Sequence, residues 1–305
     1  MRELSPKRAV VLKNIRCVYC RCDLQDGDVT RDHVIARRFV PKGKLNAQWN
    51  LIVNACQPCN NKKSDLEDDI AAITLLPDPE MLDTRTSDLI EEVQRRAAGS
   101  ISRRTRKPVA ESSEEIEIKG ALAAGVNVSF GLTSPPQIDR ARAFELARLH
   151  LTALFFMQSY DESTREGGWW LHGFHPLEMA PRSDWGNPVM RSFMTATANW
   201  ECHLHAVTAE GFFKASTHRH PSEECWAWAV EWNHSLRLVG FFGKMESAEA
   251  IVSGFPENEM RTIQGSPTSA IRYRTEIALD EADDILFQLL QTNAERVAQN
   301  DEDPN

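Results

Sequence analysis

The sequence predicts an α+β protein: a small cysteine-knotted strand-strand-helix module, a helical and charged linker, and a larger α+β domain with an antiparallel sheet. Three observations predict it. Residues 17–60 are short, turn-rich chain carrying two Cys-x-x-Cys pairs, Cys17/Cys20 and Cys56/Cys59. Charge is unevenly divided: residues 1–64 hold 13 Lys and Arg against 5 Asp and Glu, a net of +8, although the whole chain is at -9. From about residue 125, helix patterns flank a run of strand patterns. The expected boundaries are 1–70 for the module, 71–124 for the linker and 125–305 for the accessory domain.

Each element has its own signal. Val29–Ile35 and Leu51–Ala55 are strand-like, and a helix is expected from near Cys59 through Leu66 and Ile70. Leu76-Pro77-Asp78-Pro79 breaks it. Thr86–Ala98 has Leu89, Ile90 and Val93 on one helical face and stops at Gly99. Residues 99–120 pass from basic (Arg103, Arg104, Arg106, Lys107) to acidic (Glu111 onward), which suits a hinge. Asp139–Gln158 predicts a helix. Strands are expected near Ser192–Val207, Phe212–Thr217, Cys225–Trp232 and Leu236–Phe242, the last two joined by Asn233-His234-Ser235. A helix near Ser247–Ser253, a strand near Ile271–Leu279 and a last helix from Glu281 to about Val297 complete the reading.

The chemistry is concentrated in residues 17–60. Four thiolates from Cys17, Cys20, Cys56 and Cys59 make a closed tetrahedral Zn²⁺ site, which holds structure and leaves no position for a reaction. Cys22 is the spare thiol, expected not to ligate. The 35 residues between the pairs hold Asp32, His33 and Asn50, and Asn60 follows the second pair directly. A carboxylate (Asp32) and an amide oxygen (Asn60) suit one hard cation, Mg²⁺ or Mn²⁺, and His33 suits a general base.

The string Cys-x-x-Cys, Asp-His-Val-Ile, Asn-Leu-Ile-Val, Cys-x-x-Cys-Asn-x-x-Lys resembles the HNH endonucleases, the zinc-knot branch of the His-Me finger (ββα-metal) superfamily. The resemblance covers roughly Cys17 to Asp65, about a sixth of the chain. It implies Asp32 as first metal ligand, His33 as general base, Asn50 as the brace of the active-site loop and Asn60 as the residue that completes the metal site. Many relatives carry a glycine pair after the Asp-His stretch. Here Arg37–Lys44 holds one glycine and more positive charge. The implied activity is metal-assisted hydrolysis of DNA phosphodiesters, in restriction, antiviral defence or a mobile element. Arg31, Arg37, Arg38, Lys42, Lys44, Lys62 and Lys63 are the expected backbone contacts. The alternative is a zinc-knuckle nucleic-acid-binding or regulatory protein whose nuclease is silent.

The partner implied by residues 1–64 is DNA, with the acidic remainder facing away from it. Residues 125–305 leave room for a homodimer contact or a regulatory partner. No run of about 18 apolar residues indicates a membrane span, and paired cysteines beside a metal suit a reducing compartment, so the cytoplasm is expected. In the accessory domain, Trp226, Trp228 and Trp232 share one strand face, as core or as a base-stacking surface. His203, His205, His218 and His220 alternate on neighbouring strands, as ordinary satisfied or exposed histidines or, on the sharper reading, as a metal patch. Asp184-Trp185-Gly186-Asn187 is distinctive without an evident mechanism, and Gly167-Gly168-Trp169-Trp170 reads as a loop with an aromatic anchor.

Overall fold

The computed structural model describes residues 8–24, 29–76, 86–123, 126–170, 173–266 and 269–288. A three-stranded sheet comes first: β1 (Val10–Val11), β2 (Val29–His33) and β3 (Leu51–Cys56) in the order β1-β3-β2. β1 runs parallel to β3 and β2 antiparallel to it. Leu51, Val53 and Ala55 alternate along β3 and are fully buried, as a half-covered strand requires. The chain leaves β3 straight into α1 (Gln57–Thr74). Pro58 falls in its first turn, where a missing N–H costs nothing. α2 (Ser87–Gly99) follows.

The stretch expected to be a hinge is structured. Val109 is fully buried in a single turn of 3-10 helix and packs with Ala72 and Ala97, so it pins α1 and α2 together. β4 (Glu114–Ala123) and β5 (Val126–Ser134) then form an antiparallel hairpin. The Glu-Ile-Glu-Ile alternation at 115–118 is a period-two pattern that the acidic composition masked.

The larger sheet has five antiparallel strands in the order β6-β10-β9-β8-β7. These are β6 (Phe174–Pro181), β7 (Glu201–Thr208), β8 (Phe213–Arg219), β9 (Cys225–Trp232) and β10 (Leu236–Gly243). β9 and β10 are joined by Asn233, His234 and Ser235; the first two are at positive φ (54° and 57°), and Ser235 N–H donates to Trp232 O at 3.0 Å, closing a tight I′ turn. The first half of the strand expected over Ser192–Val207 is instead α4 (Pro188–Thr197). Asn187 caps it by accepting from Met190 N–H at 2.9 Å, and Pro188 stands in its first turn. α5 (Met245–Val252) and the hairpin of β11 (Arg261–Ser266) with β12 (Ser269–Tyr273) follow.

Two further expectations change. The strand placed at Ile271–Leu279 ends at Tyr273, because Asp184 captures the next segment through Arg274 and the Ile277 N–H. Among the described residues of the last expected helix, 281–288, there is a 3-10 turn at Glu281–Asp283 in place of α-helix. Asp284 is drawn off by the buried Arg237, and Leu286 enters the core. The remainder of that expected helix and the polar tail, residues 289–305, lie outside the described residues.

α3 (Arg140–Gln158) explains how the parts pack. Nearly every face of it is buried, and it lies between the first module and one face of the five-stranded sheet. One apolar core therefore runs from Phe39, Trp49, Leu51 and Ile70 through Leu146 and Leu151 to Trp228 and Trp232. The opposite face of the sheet is covered by Trp185, Phe193 and Trp200. Polar contacts repeat the connection. Trp49 Nε1 donates to Val207 O at 2.7 Å, and Asn233 Nδ2 donates to Phe39 O at 3.0 Å and to Thr74 Oγ1 at 2.8 Å. A cut at residue 124 would pass through this shared core.

Candidate functional site

The cysteines converge as a knuckle. Arg21 N–H donates to Cys17 O and Cys17 N–H to Cys22 O, both at 2.8 Å, and Arg21 turns the chain at a φ of 65°. The thiol sulfurs of Cys17, Cys20, Cys22 and Cys56 all lie within 4.8 Å of one another, close enough to hold a metal ion such as zinc. Cys20 and Cys56 sulfurs are 3.7 Å apart. A tetrahedron with Zn–S bonds of about 2.3 Å has edges of about 3.8 Å, so the donor set fits. Burial raises the Cys20 thiol, but hydrogen bonds from Cys22, Cys17 and Cys59 bring it down to about 7, which favours the ligating thiolate. Cys59, expected as the fourth ligand, sits in the first turn of α1 and is not one of these four grouped thiols. Cys22, expected to be a bystander, is thus part of the cluster. The signal for it was the Cys20-Arg21-Cys22 alternation directly after a knuckle turn.

Asp32 and His33 end β2, and Asn60 lies one turn into α1. All three line a pocket of about 370 Å³ together with Arg31, Ala36, Arg37, Arg38, Ser64 and Glu67. Asn50 lies behind it. Its amide accepts from Leu51 N–H at 2.8 Å and Ile35 N–H at 3.3 Å and donates to Ile35 O at 2.8 Å, tying the loop after β2 to the start of β3. His33 is half-buried. Burial and then the Arg37 guanidinium hold it below the ordinary histidine range, so the neutral, proton-accepting form dominates at pH 7.

Asp32 is held on both oxygens. Tyr19 donates its hydroxyl to Oδ2, and Lys63 Nζ sits 3.2 Å from Oδ1. Burial, then Asp32, pushes the Tyr19 phenol far up, so it stays a donor. Lys63 is fully buried and also donates to His33 O at 3.0 Å and to Glu67 Oε1 at 2.7 Å. Burial works against the ammonium, but Glu67 and Asp32 outweigh it and raise Lys63. Burial likewise disfavours the Glu67 carboxylate, and Lys63 reverses that. His150, from the middle of α3, stands 3.7 Å from Glu67 with both ring nitrogens unpartnered, its ring edge-on to Phe39, Phe213 and Trp232. Lys63 was expected to touch phosphate. A wholly buried ammonium shared by two carboxylates cannot, and that expectation is corrected.

Of the other cations expected to meet phosphate, Arg31, Arg37 and Arg38 rim the pocket, Arg38 donating to Ser64 Oγ at 2.8 Å. Lys42 is exposed on the loop that follows. Lys62 pairs with Glu145 at 2.6 Å and Lys44 pairs with Glu210, so acids of the second half cover both.

The distinctive strings of the second half are structural. Asp184 is fully buried and paired with Arg274, and Trp185 lies under the Arg237 guanidinium at 3.5 Å from the ring centre. Gly186 N–H donates to Ile277 O at 2.7 Å, and a Cβ there would meet Ala278 O at 2.4 Å. Trp228 and Trp232 are core, while Trp226 is half-buried at the sheet's rim. Among the described residues the histidines form no group of three metal donors. Trp169 is an anchor: its Nε1 donates to Val18 O at 2.8 Å within the knuckle, beneath Arg21. No helix among the described residues is long and apolar enough to cross a membrane. Comparison of the chain with protein families, with curated proteins and with solved structures finds no match.

Proposed function

We propose that this chain is a metal-dependent DNA endonuclease of the HNH type. Its thiol cluster would hold structural Zn²⁺, and Asp32 and Asn60 would hold a catalytic Mg²⁺ or Mn²⁺. The observation that carries the reading is the convergence of Asp32, His33 and Asn60 on one arginine-rimmed pocket beside the cysteine knuckle. The bound cation would offset charge building on the scissile phosphate. Lys63 and Tyr19 fix the Asp32 carboxylate, as partners of ligating carboxylates do. Neutral His33 accepts a proton from water. The resulting hydroxide forms the new P–O bond as the bond to the 3′ oxygen breaks, and the departing 3′ oxyanion takes a proton from solvent, leaving 5′-phosphate and 3′-hydroxyl ends.

The test is nicking of supercoiled plasmid with Mg²⁺, Mn²⁺ or EDTA. Cleavage should need the metal, and His33→Ala should lower it about 10²–10⁴-fold while DNA binding persists. A His33→Ala protein that cuts at the native rate defeats the assignment. A second reading is favoured by one observation: Asp32 is only 5% exposed with both oxygens already hydrogen-bonded. On that reading the pocket is silent and the chain is a zinc-knuckle DNA-binding or regulatory protein. Salt-sensitive DNA binding without cleavage under any of the three conditions would establish it.

A further inference from the structure

A second cavity, of about 610 Å³, is lined by the loop after β2 (Lys42, Lys44), the first turns of α2, Phe212 and the β9–β10 turn. Pockets for small ligands usually measure about 300–1,000 Å³. Asn233 lines this one and is only 1% exposed. Its amide nitrogen donates to Phe39 O and Thr74 Oγ1, which fixes the orientation of the amide. Its Oδ1 is buried and has no partner among the described residues. A buried amide oxygen in that state calls for a donor, an N–H or O–H, from a bound group. Beside it Phe212 adds a half-buried ring, edge-on to His234 at 4.6 Å. Lys42 and Arg95 are exposed at the cavity and enter no ion pair among the described residues. The start of α2 lines it as well, and the Thr86 cap makes no side-chain bond, so the positive end of that helix favours an anion there. The acids limit how much negative charge can enter. Glu92 is engaged by the Lys42 N–H and by Arg96, but Asp88 and Glu91 are exposed at the same cavity, where they suit hydroxyl donors and oppose a polyphosphate.

We propose that this cavity is a nucleotide site, taking one nucleobase with a single phosphate. The base packs on Phe212, an N–H of its Watson–Crick edge donates to Asn233 Oδ1, and the phosphate meets Lys42 and Arg95. Stacking joined to hydrogen bonds on the pairing edge is how proteins hold a base taken out of its stack. A free nucleoside monophosphate and an unpaired nucleotide of a DNA strand share this chemistry. The site is separate from the cysteine cluster and stands whether or not the chain cleaves DNA. It is joined to the arginine-rimmed pocket through backbone. Asn233 donates to Phe39 O, Arg96 to Val40 O, and Glu92 accepts from Lys42 N–H. The wall of the cavity therefore holds the chain directly after Arg37 and Arg38.

The experiment uses the full-length chain. Calorimetric titration with AMP, GMP, CMP and UMP tests the free source, and ribose 5-phosphate is the probe that lacks a base. A short duplex with one unpaired nucleotide, set against the same duplex with an abasic site at that position, tests the strand source by fluorescence anisotropy. At least one mononucleotide should bind below about 1 mM and about tenfold tighter than ribose 5-phosphate, or the unpaired base should be preferred to the abasic site by about the same factor. Arg95→Glu, at an exposed position, should weaken the mononucleotide about tenfold. Phe212→Leu should erase the preference for a base in either arm. Mononucleotide binding alone identifies the free source, and a base preference in the duplex alone identifies the strand. Should Phe212→Leu not fold, Lys42→Glu with Arg95→Glu, both exposed, should remove the preference instead. No binding in either arm, ribose 5-phosphate binding as tightly as every nucleotide, or a base preference that survives these variants overturns the site.

Discussion

Lys63 is fully buried and bonded to three groups at once. Its ammonium compensates two buried carboxylates, Asp32 and Glu67, and fixes the carbonyl of His33. Lys63→Met keeps the volume and removes the charge, leaving both acids uncompensated. Losing one partner of a buried pair costs about 3–5 kcal/mol, and we expect a loss of that size in urea unfolding at pH 7. A loss below about 1 kcal/mol would show that the two acids do not depend on it. The clustering of Cys17, Cys20 and Cys56 and the meeting of Asp32, His33 and Asn60 at one pocket were legible in the sequence from their spacing, while the place of Cys22 in the thiol cluster was not. Tyr19, Glu67 and His150 were not. Each earns its place only after folding brings it beside a residue 13, 4 or 83 positions away.

At the scale of elements, the segment after β12 is held by the turn before α4. Gly186→Ala would push a methyl into Ala278 O, 2.4 Å from its Cβ, and the exposed segment should give way before the sheet does. A cost of about 1–3 kcal/mol is expected, with new protease cleavage between residues 274 and 280. An unchanged digestion pattern would count against the clamp. The β9–β10 hairpin carries a second testable charge. Burial opposes the Glu231 carboxylate, but His234, Arg237 and Lys214 bring it down to about 2 from 4.5. Its contribution is present in full above the unfolded value and drains away as pH falls toward 2, amounting to about 3 kcal/mol at neutrality. Glu231→Gln should therefore destabilise the protein at pH 7 and much less near pH 2.5. Equal destabilisation at both would refute the linkage. Strands β8 to β10 were readable because alternation with both faces covered leaves a dense apolar record. β6, the β4–β5 hairpin and α4 are not legible in the sequence, the hairpin for its acidic residues and α4 because β-branched and aromatic residues mask its start signal, Asn187-Pro188.

At the scale of the whole molecule, the basic face predicted for residues 1–64 is partly neutralised by the acidic half behind it, through Lys62–Glu145 and Lys44–Glu210. Exposed pairs of this kind add little stability. For a DNA-binding chain they would compete with phosphate. Glu145→Gln with Glu210→Gln, the first also weakening the Glu145–Arg148 pair, should tighten DNA binding and steepen the dependence of log K on log salt by about 0.9 for each lysine released. An unchanged slope in fluorescence anisotropy would show that these lysines do not meet DNA. The same reach between halves has an optical consequence. Trp169 belongs to the second half, yet its indole N–H is bonded into the knuckle and its ring lies 4.7 Å from the Arg21 guanidinium. Any rearrangement of the thiols that shifts Val18 alters that indole's surroundings. With zinc in the cluster, the chain would carry its own fluorophore for metal loading: titration with a chelator should then change the emission, and Trp169→Phe should silence the change while leaving the other tryptophans to report global unfolding.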